Sequence, residues 1–189
     1  MIDEAMPDQT EDIVSEYLAM MDLQREGLFA ELEGLDQDML WQRPAEDEWS
    51  IGENLDHLHV INSNTLTIFK IAWVLLFSWA KLRYDKPYQT EIDNVYKRPG
   101  FPLNTGWIWS PKHTPSKPTS LAVLEENLSA IHQEMRKFYA EKDPDYLGHV
   151  SLWDPVMGWL NLIRALRVGL YHDELHNEQI QDVLQRIRN

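Results

Sequence analysis

"LAVLEENLSAIHQEMRKF", residues 121–138, carries Leu121, Leu124, Leu128, Ile131, Met135 and Phe138 in one register. Steps of three and four residues put all six side chains on one face of an α-helix, the seam of a bundle helix. Working outward, Val14, Leu18, Met21, Leu28, Leu32 and Leu35 fall at similar steps and predict a helix from about Asp12 to Glu33. A further helix opens at "SIGE" (50–53), where Ser50 and Glu53 have the form of a capping box. It extends to about Arg83, and its all-round apolar character after Ile68 predicts deep burial or a partner surface. Asp154 and Pro155 read as the N-cap and first position of a last helix that continues almost to the C-terminus. No strand pair, repeat or low-complexity tract is evident. The predicted fold class is therefore all-α, a four-helix bundle in a single domain over 1–189. Residues 1–10, polar and acidic, are expected to be flexible.

Two connections interrupt this plan. Residues 34–50 form a connector holding Trp41, Pro44 and Trp49, and residues 84–118 form a long proline-rich insertion between the second and third helices, with Trp107 and Trp109. A stretch of that length without regular structure is usually a lid, an interface or disordered, and the two tryptophans argue against disorder. It is expected to pack over one end of the bundle or to act as a lid or dimer contact.

With 31 acidic against 17 basic residues the net charge is −14, which disfavours phosphate backbones and anionic lipid surfaces. No nucleic-acid partner is expected. The longest apolar run, "IAWVLLF" (71–77), is short for a membrane span, and no membrane partner is expected either. Hydrophobic residues make up 43%, as in ordinary globular proteins. There is no cysteine, which excludes disulfides, thiolate ligands and a cysteine nucleophile within the chain. With no signal peptide in view, a cytoplasmic location is expected.

The chemistry concentrates in "YHDELHNEQI" (171–180), where His172 and His176 lie one helical turn apart on one face. Such a pair suits a divalent metal but needs a third ligand. The zincin pattern fails: Asp173 replaces its glutamate base, and in the longer form Gln179 and Asp182 stand at the glycine and third-histidine positions. A di-iron bundle site would need Glu-x-x-His pairs on two helices, and only "DELH" (173–176) approximates one. The second helix offers His57 and His59, which diverge by about 200° and cannot share one ion. Flanking Leu55, Leu58 and Ile61 do not decide between them. Glu53 reads as a cap rather than a general base, and Asp173 and Glu174 as solvated helix charges. His113, His132 and His149 fit no pattern, and the eight tryptophans read as core and connector packing.

"WSIGENLDHL" (49–58), preceded by "RPAEDEWS" (43–50), and "HDELHNEQI" (172–180) resemble the two motifs of the DinB/YfiT-like family, in the expected order. The resemblance spans most of the chain and implies a metal-binding four-helix bundle with the ligands on His57, His172 and His176. Gln179 belongs to the second motif and is expected near the site. Zinc or nickel is the implied ion. Members with assigned activity resemble thiol-dependent S-transferases and mycothiol-dependent maleylpyruvate isomerase. The implied function is thus a divalent-metal-dependent transferase or isomerase acting on a small-molecule substrate, with a low-molecular-weight thiol as cosubstrate. The alternatives are a metal-dependent hydrolase, or a non-enzymatic, stress-associated metal-binding bundle protein. A homodimer is expected. The 84–118 insertion departs from the family pattern.

Overall fold

The structure, a computed structural model, describes residues 7–101 and 109–188. Four long helices form the bundle: α1 (Pro7–Glu31), α3 (Ile51–Lys81), α4 (Leu121–Ala140) and α6 (Leu162–Arg188). Two short helices, α2 (Gln37–Trp41) and α5 (Pro144–His149), and a hairpin of β1 (Ser151–Asp154) and β2 (Gly158–Asn161) complete it. α3 packs against α4 and α6, and α1 closes the ring against the same two. The seam read from 121–138 is real: Leu124, Leu128, Ile131, Met135 and Phe138 are buried in one core with Leu18, Leu32, Leu55, Leu66, Leu166 and Ile180.

α1 starts at Pro7, five residues before the predicted start. α2 lies inside the predicted connector; Asp36 caps it by accepting from Met39 N at 2.8 Å. Its Trp41 ring lies against Gly52 of α3, where a Cβ would come within 2.9 Å of the indole. Nothing but glycine leaves room for that crossing. The capping box forms as read: Glu53 N donates to Ser50 Oγ at 3.2 Å and Ser50 N donates to Glu53 Oε2 at 3.0 Å. Arg43 adds a two-point ion pair to the same carboxylate, which is 1% exposed.

The start predicted for the last helix is wrong. Asp154 and Pro155 shape the hairpin tip instead, with Asp154 Oδ1 accepting from Val156 N and Met157 N, each at 2.8 Å. The same short carboxylate serves caps and turns alike, which is why the sequence misleads here. Gly158 takes the positive φ of 78° that brings the chain back, and β1 and β2 pair antiparallel with Trp153 opposite Trp159. The true cap of α6 is Asn161, whose Oδ1 accepts from Arg164 N at 2.9 Å.

The insertion is tied down over its described part. Asn94 caps a 3₁₀ turn at Val95–Lys97, and Ile92 and Val95 pack with Leu160 and Val168 in a second small core. Trp107 lies outside the described residues. The apolar stretch after Ile68 is buried on one side only: Phe69, Ala72 and Ala80 lie in the core, while Ile71, Val74, Leu75, Trp79 and Leu82 are exposed on the outer side of α3 and just past its end. By length and composition α3 would suffice to cross a bilayer, a property the short run at 71–77 conceals because isolated polar residues interrupt it. Trp79, Trp153 and Trp159 are likewise exposed, so the packing role expected of the tryptophans does not extend to them.

Candidate metal centre

The first two turns of α3 are buried on every side, from Ile51 to Leu58. α6 lies along one flank of these turns. This places His57 opposite His172 and His176, and one nitrogen from each ring lies within 4.8 Å of the others. Ring centroids are 4.7 Å apart for His57–His176, 4.6 Å for His172–His176 and 5.4 Å for His57–His172. His59 stays half-buried outside this group.

Each ring is held from behind. His57 Nδ1 donates to the carbonyl of Trp109, from the insertion, at 2.8 Å. His176 Nδ1 lies 2.8 Å from Asn54 Oδ1. Tyr96 packs on His172 at 5.6 Å between centroids. Trp49, one residue before the cap of α3, covers both His57 and His176, stacking on the latter at an interplanar angle of 18°. Burial lowers the pKa of all three imidazoles and favours their neutral forms. His57 depresses His172 further, down to about 3, and His57 and His172 together depress His176, while the Trp109 carbonyl and Asp56 partly offset the burial of His57. Three neutral nitrogen donors this close repel protons but suit a soft or borderline dication, which supplies the charge that the rings lack. The residues present fit a divalent metal.

The three rings line a cavity of about 1220 Å³, with Trp49, Tyr96, Phe101, Trp109, Met157 and Leu160 among its other lining residues. Its charged lining is acidic, with Asp47, Glu48, Asp154, Asp173, Glu178 and Asp182, and no Lys or Arg lines it among the described residues. Arg186, behind the rim, pairs with Glu48 and Asp182.

Asp173 corrects an expectation. It is 6% exposed, not a solvated charge; Asn62 Nδ2 donates to it at 3.4 Å and His132 Nε2 lies 3.7 Å away. Burial pushes its carboxyl up to about 7. Glu174 does face outward, paired with Lys97 and accepting from Asn94. Gln179, exposed at the cavity edge, reaches His176 with its side chain. Among the histidines that fitted no pattern, His113 contacts Asp56 at 2.8 Å, His132 joins the Asp173 network, and His149 packs on the Tyr88 ring. Asn54, Tyr96 and the Trp109 carbonyl were not singled out from sequence. Asn54 alone left a signal, a polar residue one turn before His57 on the same face of the helix.

The DinB superfamily model matches residues 20–180. No curated protein sequence matches the chain. Among solved structures the chain is similar to one described as "YfiT from Bacillus subtilis is a probable metal-dependent hydrolase with an unusual four-helix bundle topology", at 14% identity and a TM-score of 0.55, over 100% of this chain and 91% of that one. At that identity the likeness concerns the fold.

Proposed function

The chain belongs to the DinB superfamily, and on that premise we propose that it is a divalent-metal-dependent enzyme whose ligands are His57, His172 and His176. The observation that carries the reading is the convergence of three neutral imidazoles from two helices on one wall of a large cavity. Three protein ligands leave coordination positions for a reactant, as in catalytic rather than structural sites. A bound zinc or nickel ion supplies Lewis acidity, lowering the pKa of a coordinated thiol or water.

Thiol-dependent transfer to a small electrophile is the reaction we favour. The chain has no cysteine of its own, so the sulfur comes from a cosubstrate. The chain's residues then divide the work. Trp49 and Tyr96 hold the imidazoles in place, while Phe101, Met157 and Leu160 give an apolar substrate a surface and displace water. Among the described residues the acidic lining offers a substrate carboxylate or phosphate no cationic side chain, which favours neutral or cationic substrates.

The test is to incubate zinc- or nickel-loaded protein with a small thiol and a generic electrophile and follow thiol consumption. Turnover that needs the metal and disappears in His176→Ala supports the reading; equal rates with and without metal overturn it. Hydrolysis is the second reading, favoured by the description of the structurally similar protein and by the same open coordination positions. It gives metal-dependent cleavage of an ester or amide without any thiol. Stoichiometric metal without turnover in either assay points to the non-enzymatic alternative.

A further inference from the structure

Asn54 is 2% exposed, in a stretch of α3 that is buried from Ile51 to Leu58. Burying a primary amide is unfavourable unless its hydrogen bonds are met, and here both ends of the amide are engaged. Nδ2 donates to the Ser50 carbonyl at 2.9 Å, and Oδ1 faces His176 Nδ1 at 2.8 Å. The Ser50 carbonyl decides the orientation. Were the amide turned over, Oδ1 would meet that carbonyl oxygen, acceptor against acceptor, so the nitrogen must point to Ser50 and the oxygen to His176.

An amide oxygen only accepts, so the ring nitrogen opposite it must carry the proton. His176 is neutral and therefore has one N–H. It is on Nδ1, and the lone pair is left on Nε2. The Trp109 carbonyl imposes the same choice on His57, since it too only accepts.

Resting on the metal-site reading above, we propose that Asn54 is a positioning residue that fixes the tautomer and ring orientation of His176, so that the Nε2 lone pair is already aimed at the ion. It does not touch the ion itself. Its effect on affinity passes through the imidazole, whose basicity rises as its N–H donates.

The experiment is zinc titration against a chromophoric chelator for wild type, Asn54→Ala and Asn54→Asp, with long-range ¹H–¹⁵N spectra of the metal-free wild-type protein. Asn54→Ala is expected to weaken zinc binding by about 10- to 100-fold with its helical signal intact. Asn54→Asp keeps the acceptor facing His176 but loses the donor to Ser50, and is expected to return to within a few-fold of wild type. A merely structural role predicts the opposite order, because aspartate loses the Ser50 bond and buries a charge. The spectra need no variant: a His176 ring protonated at Nδ1 supports the proposal, and one protonated at Nε2 overturns it. Wild-type zinc affinity in Asn54→Ala also overturns it while leaving the metal site standing. Wild-type protein that binds no zinc overturns the metal reading and this proposal together.

Discussion

His57 and Trp109 are joined by one hydrogen bond, imidazole N–H to backbone carbonyl at 2.8 Å, so the long insertion completes the environment of a helix-borne ligand. The residue before His57 fastens the same segment. Asp56, 1% exposed, accepts from Lys112 N, from His113 N at 3.0 Å and pairs with His113 Nδ1 at 2.8 Å. Asp56→Ala should therefore release residues 109–113, leave buried donors unpaired and lower stability by about 2–3 kcal/mol. Limited proteolysis should show new cleavage within 84–118, and zinc affinity should fall because His57 loses its acceptor. Unchanged proteolysis would mean that the segment is held by other contacts.

The ligand assignment predicts an asymmetry among histidines. His57→Ala, His172→Ala and His176→Ala should each lose most bound metal after dialysis, with circular dichroism unchanged. His59→Ala should retain it near wild-type stoichiometry, since that ring lies outside the cluster. Metal retained by His57→Ala and lost by His59→Ala would reverse the assignment.

His132 predicts an acid-sensitive fold. Burial, with the Arg25 guanidinium beside it, pushes its imidazole down to about 4. Unfolded, it titrates near ~6.5, so between these values the unfolded chain holds the extra proton. Its contribution is present above about pH 6.5 and is lost as pH falls toward 4. The loss amounts to roughly 3 kcal/mol by linkage. Urea melts of wild type and His132→Gln across this window should show a shallower pH slope in the variant.

Two glycines predict opposite signs. At Gly148 a Cβ would sit 2.3 Å from the Tyr88 ring, whose hydroxyl donates to Asp145 at 2.7 Å. Gly148→Ala should displace that ring and cost about 1–3 kcal/mol. Gly27, exposed within α1, has nothing near its Cβ position. Gly27→Ala should stabilise by about 0.5–1 kcal/mol. Both are read from chemical denaturation midpoints.

The bundle was legible because its helices are long and one-sided, and the capping box at Ser50 was legible because it is local. The hairpin was not: Asp154–Pro155 satisfies the local rules for a helix start, and only the pairing of Leu152 with Leu160 across the turn decides otherwise. His57 and His59 could not be separated because residues 51–58 are covered on all sides, the insertion burying what would be the wet face of an isolated helix. Asp173, by contrast, was readable. It falls three residues after Leu170 and seven before Ile180, both buried, so its position belongs to the inward stripe of α6 whatever its charge.

The β1–β2 hairpin borders the cavity with Leu152, Trp153, Met157 and Leu160, yet supplies none of the three imidazoles. Its tip closes on itself through Asp154 and Gly158. That self-sufficiency makes residues 155–157 a natural grafting position. Loops of other lengths and side chains can be exchanged there to change which molecules are admitted, while coordination, set by α3 and α6, carries over from one graft to the next.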